Sequence, residues 1–407
     1  MSRRRSAPGA GTHHEPHGTT PTEPPTDPPT EPTREPPAPP PTTPREAAFA
    51  LVESPVQLLN VLEWAHNHPA PGTSTPLTLV VLPPHDPMTR GQLRRMAELA
   101  RDEGITVRWQ EVRGAGPGGG GPGAFTTVLG LARTLRRART LVIGDPFSRY
   151  VQLLLALTPG RAERRITVVD DGTATMEFVA QLARGERFVR WHRRGAGELR
   201  GVLFAPFSRR ARRRLTPRDG RLIEVFSSMP VEPPEGVRVT ANEFAWTRAR
   251  FGPPRLTRGA DLVGTSLVET GVVDTERYVE AVASLARTYG ATRYFAHRRE
   301  SGEKLARVNA ATGLEIVRPD LPLELVARRG PVGRTILSFP STVVHTLPLA
   351  LAGTAVTVAV CEVDPEWLTQ TASPRAQGFL AGVTGTARGV RRLPPASRAQ
   401  GAGAAGS

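Results

Sequence analysis

Three short polar clusters in this 407-residue chain fall where apolar, β-rich runs end. Open α/β sheets bind ligands at the carboxyl ends of their strands, so chemistry is expected there. The first cluster is Val168-Val169-Asp170-Asp171-Gly172-Thr173, two adjacent carboxylates leaving a strand into a glycine turn. Neighbouring like charges raise at least one pKa, which suits Asp171 or Asp170 to accept a proton near neutral pH. The competing possibility is that one of them caps the helix beginning near Thr173. The second, Tyr294-Phe295-Ala296-His297-Arg298-Arg299-Glu300, ends a strand in a histidine followed by two arginines. Imidazole and guanidinium both donate hydrogen bonds to phosphate oxygens, although His297 could simply terminate the strand with its arginines solvated. The third, Leu337-Ser338-Phe339-Pro340-Ser341-Thr342, puts hydroxyls at the start of an apolar helix. Unpaired N–H groups and the positive dipole end would make an anion site with Ser341 and Thr342; plain N-capping by Ser341 is the alternative.

These clusters need strands and helices that stop and start at the right residues. Ala48 to Glu53 reads as a strand, after which Ser54 caps and Pro55 opens a helix. Leu77 to Leu82, Ile105 to Val112, Thr140 to Ile143 and Arg165 to Asp170 read as strands, with helices near 89–103, 124–138 and 148–157. The proline-bearing stretch Pro230 to Pro254 then introduces a second series. Its strands are Leu262 to Leu267, Thr292 to His297, Leu314 to Arg318, Thr335 to Phe339 and Ala355 to Cys361. Asp274 caps a helix running to about Tyr289, and another runs from Ser341 to about Leu351. Such alternation predicts an α/β fold of two Rossmann-like, doubly wound domains facing a cleft, over 46–240 and 255–392. A disordered Pro/Thr/Glu-rich tail over 1–45 and a flexible tail over 393–407 flank them. The Gly114 to Gly123 run has neither the ending of a P-loop nor the spacing of a dinucleotide fingerprint, and reads as a loop.

In order and type these motifs resemble those of the bacterial sialyltransferases, including the capsular polysialyltransferase and lipooligosaccharide sialyltransferase families. Asp170-Asp171-Gly172 matches the first family motif and Ser341-Thr342 the third. The second is usually His-Pro and here is His297-Arg298. Glu53-Ser54-Pro55-Val56-Gln57 is similar to the opening segment of these families, and Pro322-Leu323-Glu324 to their Pro-x-Glu segment, so the resemblance spans about 50 to 350. It implies the glycosyltransferase B architecture and an inverting transfer from a CMP-activated acidic sugar to a glycan acceptor, as in cell-surface polysaccharide biosynthesis; the alternative is an enzyme of the same architecture that uses another nucleotide sugar. Asp171, or alternatively Asp170, would be the base. His297, Arg298, Ser341 and Thr342 would hold the CMP phosphate, and Glu324 the ribose hydroxyls. The resemblance implies no cofactor beyond the CMP-sugar donor and no metal.

Composition narrows the remaining classes. The single cysteine, Cys361, excludes an intrachain disulfide and cysteine-based zinc sites, and no apolar run reaches bilayer length. A cytoplasmic enzyme is expected. Net charge is +15, almost wholly from arginine, and the segment to Arg45 contributes none of the excess. The clusters Arg190, Arg193, Arg194 and Arg209, Arg210, Arg212, Arg213, Arg214 could guide an anionic acceptor or rest the enzyme on anionic lipid at the inner face of the membrane. They could equally be a solvated surface. No specific nucleic-acid partner is expected, because the arginines are not interleaved with an aromatic stacking platform. The N-terminal tail carries no core, so a chain beginning at Arg45 should melt within a degree or two of the full-length protein. A large fall in melting temperature would contradict this.

Overall fold

Apolar runs alternating with helices have folded into two wholly parallel sheets. The computed structural model describes residues 48–68, 77–111, 122–136, 138–158, 164–190, 198–218, 221–370, 372 and 374–396. The segment 1–45, Gly114 to Gly121, Arg193, Arg194 and the tail beyond 396 lie outside the described residues. The first sheet is built from β1 (Ala48–Val52), α1 (Pro55–Asn67), β2 (Leu77–Val81), α2 (Pro87–Asp102), β3 (Thr106–Trp109), α3 (Pro122–Leu135), β4 (Thr140–Ile143), α4 (Arg149–Leu157), β5 (Arg165–Val169), α5 (Thr173–Ala183), α6 (Glu198–Leu215), β6 (Ile223–Ser227) and β7 (Val237–Ala241). After α7 (Ala245–Arg250), the second contains β8 (Leu256–Val263), α8 (Thr275–Tyr289), β9 (Ala291–Phe295), α9 (Gly302–Thr312), β10 (Glu315–Val317), α10 (Leu323–Arg329), β11 (Val332–Ser338), α11 (Val343–Ala350), β12 (Thr357–Cys361), α12 (Pro374–Thr386) and β13 (Val390–Leu393).

Strand orders are β3-β2-β1-β4-β5-β6-β7 and β10-β9-β8-β11-β12-β13. Each reverses direction beside its first strand, the doubly wound pattern expected, and the reversal opens a crevice at the carboxyl ends. Central strands such as β1 are buried at every residue, as parallel sheets covered on both faces require.

Several elements depart from the sequence expectation for identifiable reasons. Pro230 to Pro254 contains β7 and α7, and α6 and β6 precede it, so the chain is structured where a divider was expected. β8 starts at Leu256, six residues early, and ends at Val263. Its polar character concealed it: Asp261 is fully buried, with its carboxylate taken by Arg293 at 3.0 and 2.7 Å and by the Gly333 N–H at 2.7 Å. β9 stops at Phe295, leaving His297 in the following turn.

Helix α1 carries a polar stripe on its buried side. Ser54 Oγ caps it, accepting from the Gln57 N–H at 3.2 Å as expected. Gln57, Asn60 and Glu63 follow at three-residue spacing, which keeps them near one face. Glu63 is fully buried and accepts from the N–H groups of Trp246 and Thr247 at 2.8 and 2.9 Å and from Thr247 Oγ1 at 2.6 Å. It therefore caps α7, whose own N-cap Phe244 provides no side-chain bond. Leu321, Leu325 and Ala350 of the second series join one apolar cluster with Leu58, Leu93, Phe244 and Trp246 of the first and of α7. Replacing Glu63 with Ala would leave two buried N–H groups unpaired, and should cost about 2–4 kcal/mol in chemical denaturation. A loss below about 0.5 kcal/mol would show the cap to be dispensable.

Candidate functional site

The two adjacent carboxylates of the first motif have opposite environments. Asp170 is 2 % exposed. Its Oδ1 accepts from the Gly172 N–H at 3.0 Å, and its Oδ2 from the N–H and Oγ of Ser228 at 3.1 and 2.8 Å. Its carbonyl accepts from Asn60 Nδ2 at 2.9 Å, and Asn60 is held in turn by Asn242 at 2.8 Å. Asp170 thus ties β5 to α1 and to the loop after β6, with both carboxylate oxygens engaged.

Asp171 keeps 14 % of its side chain accessible. Its Oδ2 accepts from Arg190 Nη2 at 3.1 Å, and the same nitrogen reaches Asp145 Oδ2 at 2.9 Å. Burial, and then the neighbouring charge of Asp145, push Asp171 up to about 7, against the pull of Arg190, Arg298 and a bond with Gln57. Its carboxyl is therefore poised to exchange a proton near neutrality. The capping alternative is not realised, since α5 is capped at Gly172 without any side-chain bond. Gly172 has φ +65°, open to glycine at little cost.

His297 sits in a turn that its neighbours close. Its N–H donates to Glu300 Oε2 at 2.5 Å, and the Glu300 N–H donates to the His297 carbonyl at 3.0 Å. Its Nδ1 accepts from the Arg299 N–H at 3.2 Å, which leaves Nε2 to carry the ring proton. Burial, with Arg298, Arg299 and Lys304 adding to it, pushes the imidazole down to about 4. The ring is neutral at pH 7, so it offers a phosphate an N–H donor rather than a charge. Arg298 is exposed and acts electrostatically on both Asp171 and Asp86.

At α11 the helix start is occupied by Thr342, and neither hydroxyl is used as a cap in the way Ser341 was expected to be. Ser341 Oγ lies 3.5 Å from Ser338 Oγ. The two sheets meet here: a Cβ placed on Gly172 would stand 3.0 Å from Thr342 Cγ2. The acidic and hydroxyl motifs, 170 residues apart in sequence, thus approach closely enough that a side chain at Gly172 would crowd Thr342. Glu324 is 6 % exposed, and its Oε1 accepts from Thr346 Oγ1 at 2.5 Å. Burial raises its pKa, with the nearby Asp170 charge adding to the rise against the Thr346 bond.

Three contributors were not singled out by sequence reasoning. Gln57 lies within a quoted motif but had no role assigned. Asp145 follows β4 in Gly144-Asp145-Pro146, a strand-end position like those of the other motifs. Arg190 lies beyond α5 with no local signal, and was grouped with a basic surface; it is instead paired inside the site. Arg209, Arg210 and Arg213 are exposed along α6. Among the described residues no group of three or more His, Cys, Asp or Glu could hold a metal ion, and no helix is long and apolar enough to cross a membrane.

No protein-family profile and no curated protein sequence matches this chain. Among solved structures it is similar to an α/β-galactoside α-2,3-sialyltransferase from Photobacterium phosphoreum, at 9 % identity and TM-score 0.45 over 86 % of this chain and 99 % of that one. It is also similar to MurG from Acinetobacter baumannii, at 10 % identity and TM-score 0.40 over 87 % of each chain. A UDP-GlcNAc 2-epimerase from Neisseria meningitidis bound to UDP-GlcNAc resembles it at 11 % identity and TM-score 0.43, over 83 % of this chain and 86 % of that one. These are loose backbone likenesses, and the site described above does not rest on them.

The raised Asp171 pKa has a signed consequence for stability. The folded state prefers the protonated carboxyl, whereas the unfolded chain ionises it near its ordinary value. Folding therefore loses stability as pH rises from about 4 to 7. Asp171→Asn removes that loss, so the variant should gain melting temperature over the wild type at pH 8, on the order of a few degrees, and gain little at pH 4. The same difference at both pH values would contradict the shift.

Proposed function

We propose that this chain is an inverting glycosyltransferase that moves sialic acid or a related acidic sugar from a CMP-sugar to a glycan hydroxyl. The observation that carries this reading is the approach of Thr342 to Gly172, too near to leave room for a side chain there. It sets a carboxylate poised near pH 7 beside a helix start whose hydroxyls are not spent on capping. A displacement at a sugar carbon needs a base on the acceptor side and fixed donors for the departing phosphate on the other.

In this mechanism Asp171 takes the proton of the acceptor hydroxyl as its oxygen bonds to the anomeric carbon. The bond from that carbon to the phosphate oxygen breaks, and CMP leaves with the electron pair. Attack opposite the leaving group inverts the anomeric centre. Ser341, Thr342 and the His297 Nε2–H would hold the phosphate, and Arg298, whose charge acts on Asp171, would add positive charge to the site. Glu324, with one oxygen taken by Thr346, would offer the other to the ribose hydroxyls. Neither a metal nor another cofactor is assigned a step. Arg209, Arg210 and Arg213 on α6 form the face on which an anionic glycan or an anionic lipid surface would rest, consistent with an enzyme working at the cytoplasmic side of a membrane.

Thermal shift with CMP, UDP and GDP tests the reading. A ligand at 100 times its Kd stabilises by about 2.7 kcal/mol, so CMP should raise the melting temperature where the others do not. His297→Ala should weaken CMP by roughly 10- to 100-fold while leaving the unliganded melting temperature nearly unchanged. Stabilisation by UDP or GDP alone, or full CMP affinity in folded His297→Ala, would overturn it.

A further inference from the structure

Beneath the His297 turn lies a buried polar cluster to which the proposed chemistry assigns no role. Lys304 is the sole lysine among the 53 basic residues of the chain, and it is 2 % exposed. Its Nζ is 2.7 Å from Glu300 Oε1 and 3.4 Å from Glu269 Oε2, and donates to the Thr265 carbonyl at 2.8 Å. It also stands 4.1 Å from the centroid of the Tyr278 ring. Glu300, 4 % exposed, accepts on the same Oε1 from the Tyr294 hydroxyl at 2.6 Å, and Tyr294 is paired with the Tyr278 hydroxyl at 2.7 Å. Its Oε2 is the atom that receives the His297 N–H. Gly264, just after β8, makes room for it: a Cβ there would lie 2.1 Å from Glu300 Oε2.

Resting on the function proposed above, we infer that Glu300 and Lys304 are positioning residues that lock the 297–300 turn and so aim His297 and Arg298 at the nucleotide phosphate. An apolar pair of the same volume would fill this part of the core at least as well, because burying two charges costs solvation. What an apolar pair could not do is reach out and bind the His297 backbone. The Glu300 carboxylate fixes the turn through the His297 N–H, and leaves position 298 free to carry a guanidinium. Burial pushes Glu300 toward its neutral form and Lys304 opposes this. The ammonium, 2.7 Å from Oε1, fixes the orientation in which the two carboxyl oxygens accept from the Tyr294 hydroxyl and the His297 N–H. A lysine suits the place because its compact ammonium fits over the Tyr278 ring, where the broad guanidinium fork would need more room.

Sign epistasis tests the inference. In Lys304→Met the carboxyl is left buried and unpaired; in Glu300→Gln an amide N–H₂ must face either the ammonium or the His297 N–H. In the double variant the Gln oxygen can accept from His297 while its amide meets the Tyr294 hydroxyl. Each single variant should therefore weaken CMP by about 10-fold or more in calorimetric titration, and the double variant should return to within about 3-fold of the wild type. Melting temperatures recorded alongside identify a merely structural pair, which would move stability and leave CMP affinity alone. Unchanged affinity in a folded single variant, or a double variant no tighter than the weaker single, would overturn the inference. Should the wild type bind no CMP, the proposed function fails, and the inference is then read from the His297 ring ¹⁵N resonances of the free protein. Loss of the single neutral tautomer in the single variants and its return in the double would uphold it; identical ring signals in all four proteins would overturn it.

Discussion

Much of the site depends on one buried carboxylate, Asp170, whose two oxygens are both engaged by backbone and side-chain donors. Asp170 is the last point at which β5 is held before the chain turns, and its bonds to Gly172 and Ser228 fix where the next residue emerges. With its backbone carbonyl taken by Asn60, the strand end is tied to α1 as well. A carboxylate so engaged offers no free acceptor. Its neighbour, displaced by one residue and therefore pointing elsewhere, is left with a guanidinium it must share and a partly open face. Two identical side chains in sequence are thus given different environments, one fully engaged and one partly open, by their surroundings alone.

The second sheet is arranged on the same logic. His297 and Arg298 follow β9 in a turn fixed by Glu300, and Thr342 begins a helix just beyond the end of β11. All lie at carboxyl ends of parallel strands, where helix N-termini also point. Two doubly wound sheets brought together at these edges necessarily confront one set of strand-end residues with another. The approach of Thr342 to Gly172 is one place where this confrontation is tight. Nothing larger than hydrogen at Gly172 fits without a shift of Thr342, so the turn is constrained by its φ and by the neighbouring sheet together.

Much of this arrangement was legible from the sequence because it rests on local signals. Apolar runs of strand length, the Ser54-Pro55 helix start and polar residues at strand ends mark the central elements and the three motifs. The seams were not legible. β8 begins with Leu-Thr-Arg-Gly-Ala-Asp, which reads as loop until Arg293, 32 residues away, neutralises Asp261. α7 lies in a proline-bearing stretch and is capped by Glu63 from 183 residues away. The division of labour between Asp170 and Asp171 was likewise hidden, since it depends on Ser228, Asn60, Arg190 and Asp145, each brought in by the fold. Arg190 was misplaced for the converse reason: an arginine in a basic run looks solvated until a distant acid is seen beside it.

Whether Asp171 takes a proton is measured directly by a comparison of paired variants. Transfer from a CMP-sugar to a glycan acceptor and CMP affinity would be determined together for Asp171→Asn and Asp170→Asn. Asn at 171 preserves shape but has no basic oxygen to ionise, so CMP affinity should be retained while turnover falls by roughly 100-fold or more, the scale of a lost general base. Asn at 170 should instead lower the melting temperature, and lower turnover only through the loosened strand end. Full turnover in folded Asp171→Asn, with CMP still bound, would contradict the assignment and return that carboxylate to a purely structural role.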